Sequence, residues 1–393
     1  MAWEKVKLGD VSTCIQTGPF GSQLHQSDYS IMGTPVVMPK DMIGGKIVEQ
    51  SIARVEEQHV NRLSRHKVDA GDILYSRRGD VGRCALVTEK EKGWLCGTGC
   101  LKVSIDLEKA NPKFVFYQLQ KPETIGWVVK HAVGATMLNL NTGILESVPV
   151  EMPELQEQNK IVDILSAYDD LIENNQKQIK LLEEAAQRLY KQWFIDLRYP
   201  GHEITPIVDG LPKGWRKEKL VDLATVQFGY AFDGSLFNSN GNGTPIVRIR
   251  NIPDGFTNDY TTENAPEEYI INNGDVVVGM DGEFHINSWS GDKSYLVQRS
   301  CCFRPHNPRI KGWLLWAIHD PIKFFEKTVV GATVAHLGKK HIDTIELLMG
   351  PENLYKPFQD YFNKRQLLLN QNRKLAESRD RLLPKLMNGE LEV

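Results

Sequence analysis

Apolar residues recur through residues 154–194 in alternating steps of four and three: Ile161, Leu165, Tyr168, Ile172, Ile179, Leu182, Ala186, Leu189 and Trp193, with Asn175 as one polar position in the series. That spacing predicts a long helix with a coiled-coil seam. A second run, residues 355–389, places Tyr361, Leu368, Leu375 and Leu382 every seventh residue, with Arg365, Asn372 and Arg379 between them. At about 1.5 Å per residue each helix extends on the order of 50–60 Å, too long for burial in an ordinary core. The natural partner of each helix is the other. Asn175 and Asn372 read as polar pairs that fix register, and Pro384 is expected to kink or end the second helix.

Outside these runs the pattern changes to short β-branched segments bounded by Gly, Asp and Asn, which predicts strands at 35–38, 72–75, 85–88 and 101–105. A helix follows at 114–119, opened by Asn111-Pro112-Lys113. Similar segments return as strands at 245–249, 275–279 and 295–297 and a helix at 312–319. The return is a true internal repeat. Trp3…Lys7-Leu8-Gly9-Asp10 matches Trp215…Lys219-Leu220-Val221-Asp222, and Gly33-Thr34-Pro35-Val36-Val37 matches Gly243-Thr244-Pro245-Ile246-Val247. Ala70-Gly71-Asp72-Ile73-Leu74 matches Asn273-Gly274-Asp275-Val276-Val277, and Val133-Gly134-Ala135-Thr136…Leu140 matches Val330-Gly331-Ala332-Thr333…Leu337. Leu182…Arg188-Leu189 matches Leu375…Arg381-Leu382. The chain therefore reads as two copies of one unit, a globular part followed by a long helix. The fold class expected is α+β: two similar mixed domains separated by two long helices packed as an antiparallel coiled coil with pseudo-two-fold symmetry.

Composition narrows the function. The 393 residues are 41% hydrophobic and 25% charged, with a net charge of −3, normal for globular domains. No apolar run reaches the length of a membrane span, and the first residues lack a signal core, so the cytoplasm is expected. Residues 1–150 hold 18 Lys and Arg against 16 Asp and Glu, and residues 210–350 hold 15 against 16. Nucleic-acid binding would thus rest on local patches or partners. The six cysteines, at 14, 84, 96, 100, 301 and 302, form no CxxC pair and read as reduced thiols rather than metal ligands; no metal is expected.

Catalytic constellations are missing from the sequence. Gly338-Lys339-Lys340 lacks the upstream Gly and the hydroxyl of a phosphate loop. Asn111-Pro112-Lys113-Phe114 is a near miss to the amino-methyltransferase tetrapeptide and reads as a helix start. No nucleophile elbow or His-Glu-x-x-His pair occurs. Several loops do suit DNA. Thr17-Gly18-Pro19-Phe20-Gly21-Ser22-Gln23 offers backbone donors and, at Ser22 and Gln23, short polar groups able to approach phosphates. Arg77 and Arg78 follow a strand with Arg83 near; they either fork onto guanine or phosphate or form a solvated turn with a local Arg–Asp pair. Arg248, Arg250 and Asn251 leave a strand in the region equivalent to Lys40, the alternating arginines either facing a groove or merely exposed. Thr136, Asn139 and Asn141 match Thr333, His336, Lys339 and Lys340 on paired loops, which either contact DNA or only lead into the helix. Leu181, Ala185, Trp193 and Phe194 leave more apolar surface than a two-helix seam uses, to widen the seam or to dock a partner protein.

Leu155-Gln156-Glu157-Gln158…Ile161-Val162-Asp163-Ile164-Leu165, Asn174-Asn175-Gln176-Lys177-Gln178-Ile179 and Gln187-Arg188-Leu189-Tyr190-Lys191-Gln192-Trp193-Phe194 resemble the central region of specificity subunits of type I restriction–modification systems. Leu382-Leu383-Pro384-Lys385-Leu386-Met387-Asn388-Gly389-Glu390 resembles their ending, and Pro212-Lys213-Gly214-Trp215 resembles the opening of their target-recognition domains. Pro351-Glu352-Asn353-Leu354-Tyr355-Lys356 departs from the Pro-x-Leu-x-Glu-Gln pattern at Pro153. The resemblance implies target-recognition domains at 1–153 and 215–353, long helices at 154–197 and 354–393, and a linker at 198–214. It implies no catalysis and no cofactor in this chain. Two methyltransferase subunits carrying S-adenosylmethionine would flank it, two restriction subunits could join, and one adenine in each half of a bipartite double-stranded DNA site would be flipped out and methylated. The competing readings are a fused methyltransferase or nuclease and a coiled-coil scaffold that binds no DNA.

Overall fold

A computed structural model describes residues 3–134, 137–328 and 335–393. The chain divides into two compact units, Met1–Tyr168 with Ser378–Val393, and Asp169–Glu377. No helix among the described residues is long and apolar enough to cross a membrane.

In the first unit, strands Ser12–Thr17, Cys100–Ile105, Ile73–Ser76 and Cys84–Leu86 form an antiparallel sheet in that order. Ile73–Ser76 is buried on both faces, and its first three residues, Ile73, Leu74 and Tyr75, accordingly do not alternate with polar ones. A second sheet runs Leu95–Cys96, Thr34–Val37, Ala53–Val55, Tyr29–Ser30, with the first pair parallel. Strand Glu4–Lys7 pairs with Pro149–Met152 and closes the unit on itself. Helix Pro112–Leu119 begins where expected: the Asn111 side chain accepts from Lys113 N and Phe114 N, and Pro112 loses no helical bond at the first turn. Phe114, Leu101, Val103, Ile161, Leu165 and Leu386 share one core. Each such side chain, fully buried, contributes about 1.5–3 kcal/mol.

The second unit repeats the plan. Strands Ala224–Phe228, Ser300–Pro305, Val276–Gly279 and Ile286–Ser288 make the antiparallel sheet, and a five-stranded sheet pairs Thr244–Val247 in parallel with Ser294–Leu296. Arg216–Lys219 pairs with Glu346–Met349. Segment 198–214 is more than a connector: Tyr199 is buried with its ring centroid 4.7 Å from Trp215.

The long helices span Leu155–Tyr190 and Lys356–Met387, and none of the ten seam positions of the first is exposed. Within the second unit, Asn175 Nδ2 donates to Asn372 Oδ1 at 2.9 Å and Arg365 Nε to Glu183 Oε1 at 2.7 Å. Numbers rise along one helix as they fall along the other. Each helix is also tied to its own globular part by a glutamine near its start. Gln158 Oε1 accepts from Asn111 N at 2.9 Å in the first unit, and Gln359 Oε1 from Gly312 N at 3.1 Å in the second. Gly312 lies so close to the helix that a Cβ there would stand 2.4 Å from Phe358 O.

Two expectations are corrected. Pro384 does not end its helix. It forfeits one amide bond, yet the helix runs to Met387 and closes through Gly389, at φ +68°, with Glu390 N on Lys385 O and Gly389 N on Leu386 O, a Schellman ending. Phe194 is no partner surface. The first helix passes at Lys191–Ile195 into a π turn, which shifts the side-chain phase and brings Phe194, 2% exposed, in among Tyr190, Trp215, Trp313, Tyr355 and Phe358.

Arg365, 6% exposed, also donates to Ser288 Oγ at 2.6 Å and Asn287 Oδ1 at 2.7 Å. Substituting Arg365→Ala removes the donor from three acceptors at once and should destabilise the unit by about 3–5 kcal/mol. Chemical denaturation of the two forms measures this. A change below about 0.5 kcal/mol, the size of an ordinary surface substitution, would show that the network does not hold the helix.

Candidate nucleic-acid interface

The antiparallel register of the first unit brings three loops to one end of its main sheet. Leu101 pairs with Thr17 and Cys100 with Ser76, so the chain leaves after Thr17, before Cys100 and after Ser76 on the same side. Backbone bonds lace the loops together: Gly18 N to Cys100 O at 2.9 Å, Arg77 N to Gly99 O at 2.8 Å, Gly79 N to Leu138 O at 3.0 Å and Leu140 N to Arg77 O at 2.8 Å. Gly18 is required by this approach, since a Cβ would lie 2.1 Å from Gly97 O.

The side chains fall into two groups. Arg77, Arg78, Asn139, Ser22 and Gln23 are gathered on these loops. Arg77 lays its guanidinium over the Phe20 ring, 5.4 Å from the centroid, while Phe20 itself is half exposed. Arg78 and Ser22 are exposed, and Gln23 Oε1 accepts from Phe20 N at 3.1 Å, holding the loop. Arg77 Nε and Asn139 Oδ1 are buried with no protein partner among the described residues, a donor and an acceptor that a native fold ordinarily satisfies. The second group braces the structure. Arg83 is bound to Asp80 Oδ2 at 3.0 Å and to Pro39 O at 3.2 Å, the local Arg–Asp pair that was the alternative reading. Asn141 caps helix Thr142–Glu146 by accepting from Ile144 N at 2.8 Å. Lys40 stays exposed on the turn Pro39–Asp41 and reaches Ser51 O at 3.3 Å.

The second unit uses the same lacing: Gly229 N to Ser300 O at 3.0 Å, Met280 N to Arg299 O at 2.8 Å, Gly282 N to Ala335 O at 3.0 Å and Leu337 N to Met280 O at 2.7 Å. Its arginines correct the expectation of a shared strand face. The strand ends at Val247, and Ile249–Asn251 is a 3-10 turn, so Arg248 and Arg250 do not alternate along a ladder. Arg248 lies over the Phe237 ring at 5.4 Å. Arg250 forks onto Asp259, Nε at 3.1 Å and Nη2 at 2.6 Å. Asn251 accepts from Arg248 N at 2.9 Å and donates to Asp259 at 3.2 Å. Burial alone would raise the Asp259 carboxyl, but the bonds from Arg250 and Asn251 outweigh it and hold the group below its usual range.

His336 is exposed and bound through Nδ1 to Asp281 Oδ1 at 2.5 Å. Lys339 pairs with Asp343 at 2.8 Å, and Lys340 is exposed. Thr136 and Thr333 lie outside the described residues. Of the proposed docking residues, Leu181 is 64% exposed, whereas Ala185 and Trp193 are half-buried. Sequence reasoning passed over Phe20 and Arg299. Phe20 stood in a loop read for its glycines, and Arg299 could be found only by aligning it with Gly99 of the first copy.

Among the described residues no group of three or more His, Cys, Asp and Glu could hold a metal ion. All cysteines are free, and all but Cys14 are buried. Burial pushes the Cys84 and Cys96 thiols up to about 12.

Residues 2–184 and 212–351 match the family described as type I restriction modification DNA specificity domain. The chain is 27% identical over 420 aligned residues to the type I restriction enzyme MjaIX specificity subunit of Methanocaldococcus jannaschii, covering 100% of this chain and 94% of that protein. It is 22% identical over 468 residues to the HindI specificity subunit of Haemophilus influenzae, with 99% of each covered. A solved type I restriction–modification S subunit from M. genitalium shares the fold, with a TM-score of 0.59 at 17% identity over 98% of this chain and 96% of that one.

Because Asn141 caps this helix, Asn141→Ala should cost about 1 kcal/mol, read as a lowered melting temperature of the DNA-free protein, and Asn141→Ser should restore most of it. An alanine variant with unchanged melting would assign Asn141 another role.

Proposed function

The chain belongs to the type I restriction–modification DNA specificity family, and from that membership we propose that each of its globular parts reads one half of a bipartite, asymmetric DNA site. As a specificity subunit it is a non-catalytic DNA-recognition component. The observation that carries the finer reading is the loop cluster repeated at the same end of the main sheet in both copies. The scaffold bonds repeat, but the side chains they present differ: Arg78 and Asn139 in one copy, Asp281 and His336 in the other. Two related scaffolds with different polar faces suit two half-sites of different sequence, so the target need not be palindromic.

In this reading two methyltransferase subunits, which carry S-adenosylmethionine, are positioned by the chain so that an adenine in each half-site is flipped and methylated. Restriction subunits join the same assembly for cleavage. The chain itself holds no cofactor, and its work on DNA places it in the cytoplasm. Binding by the chain alone is weak, because its charge is nearly balanced, and salt-sensitive, because what binding there is runs through local cationic patches that displace counterions from phosphates. The expected domain limits, 1–153 and 215–353, give the recognition modules. Leu181, with Ala185 and Trp193 beside it, remains the proposed docking surface for a partner. The antiparallel coiled coil belongs to this proposal as well, supported by the opposite run of residue numbers along the helix contacts inside the second unit, and the pseudo-two-fold arrangement is proposed from the internal repeat alone. The two half-sites would then be read on opposite strands, roughly one helical turn apart.

The purified chain, given labelled S-adenosylmethionine and DNA, should transfer no methyl group until methyltransferase subunits are added; transfer by the chain alone would establish the fused-enzyme reading. Replacing residues 1–153 with those of another family member should change one half of the methylated site in whole-genome methylation maps and leave the other half intact. A change in both halves would refute the division of labour. Adding one helical turn, about 5.4 Å, to each long helix should lengthen the unread spacer by roughly 1–2 base pairs at about 3.4 Å per pair; an unchanged spacer would remove the helices' role as a ruler.

A further inference from the structure

Arg299 has a backbone that only glycine adopts freely. Its φ is +69°, a left-handed conformation in which Cβ crowds the following carbonyl oxygen. The equivalent residue of the first copy is Gly99, at φ +89°. The hydrogen-bond pattern fixes the equivalence. Gly97 N binds Val37 O where Val297 N binds Val247 O, and the carbonyls of Gly99 and Arg299 accept from Arg77 N and Met280 N respectively. One residue later Cys100 O and Ser300 O accept from Gly18 N and Gly229 N. The second copy thus carries an arginine where its scaffold would more easily take glycine. Backbone strain of this kind, held by surrounding structure, is concentrated at functional sites.

The neighbouring loop shows a compensating exchange. In the first copy Arg78 is bridged to Asn139; in the second the same ladder position holds Asp281, bridged to His336. The guanidinium has therefore moved from the strand-end loop to the adjacent turn, and a carboxylate stands where an arginine stood. Asp281 is 18% exposed and accepts from Arg299 Nη1 at 3.0 Å, while the Arg299 side chain is 68% exposed. The same carboxylate accepts from His336. One edge of the guanidinium is anchored, and the rest faces solvent from the end of the sheet where the loops gather.

We infer that Arg299 is a specificity-determining residue of the second recognition domain, forking onto a guanine of its half-site, with Asp281 as the residue that positions it. An anchored guanidinium presents its donors as a fixed planar pair, the arrangement that matches guanine O6 and N7. This inference rests on the DNA-reading role proposed above.

The test compares the wild-type complex with methyltransferase subunits against complexes carrying Arg299→Gly, Arg299→Lys and Asp281→Asn, by methylation mapping and by competition binding against a randomised half-site. Arg299→Gly also relieves the strained backbone, so an unchanged or raised melting temperature establishes that it folds. It should lose about 5- to 150-fold of its preference for one guanine in the half-site read by the second domain, with the other half unaffected. Arg299→Lys should keep overall affinity but not the preference, and Asp281→Asn should weaken the preference partly. Methylation of an unchanged set of sites by Arg299→Gly overturns the inference, and so does a uniform loss of affinity with no position relaxed, which marks a phosphate contact. A wild-type complex that binds no DNA overturns the underlying reading, and this one with it.

Discussion

Each long helix has to be held in one register against the globular part it starts from, and the fold depends on how those starts are tied. Both copies solve this with a glutamine two turns or fewer into the helix, Gln158 or Gln359, whose side-chain carbonyl oxygen accepts a hydrogen bond from a backbone amide of the globular part, at Asn111 or Gly312. An apolar contact could bury as much surface, but it would tolerate sliding along the helix, whereas a bond to one backbone amide does not. In the second unit Arg365 adds a further lock by satisfying Glu183, Ser288 and Asn287 together. The helix is thereby fixed to the strand Ile286–Ser288, an edge of the sheet whose opposite end carries the loops.

The sequence made the helices, the repeat and most central strands legible, because a buried stripe has to repeat with the period of its element. Strands 101–105 and 275–279 were found nearly in place for that reason. Ser12–Thr17 and Ala224–Phe228 were not found: they are partly exposed edges of their sheets, and Ser12, Thr13, Gln16 and Thr225 break the apolar pattern. The π turn at Lys191–Ile195 was equally invisible, since five residues with one unusual hydrogen-bond step leave no periodic trace. Its result was the misplacement of Phe194, which sequence spacing set outside and the structure sets in an aromatic core.

The candidate interface was legible as a set of loops but less so residue by residue. Arg77 and Arg78 stood out as polar groups at a strand end and Asn139 as one on a repeated loop, and the three do come together. Arg83, Arg250, Asn251 and Asn141 stood out for similar reasons and prove to be committed to neighbours, among them Asp80, Asp259 and the amide of Ile144. Composition shows that a polar group exists; only the fold shows whether its hydrogen bonds are already spent. Divergence between the copies follows the same division. Backbone bonds that place the loops are repeated, while the side chains carried there have exchanged charge, as Arg78 and Gly99 against Asp281 and Arg299 make plain.

The burial of five of the six cysteines leaves the molecule with a single reactive handle. Cys14 lies on the strand that leads directly into the loop carrying Phe20, and it alone is open to solvent. A maleimide dye or spin label should therefore attach at one defined place on the native protein, with no engineered removal of the other thiols, and would report from within a few residues of the surface where the ligand is expected to arrive.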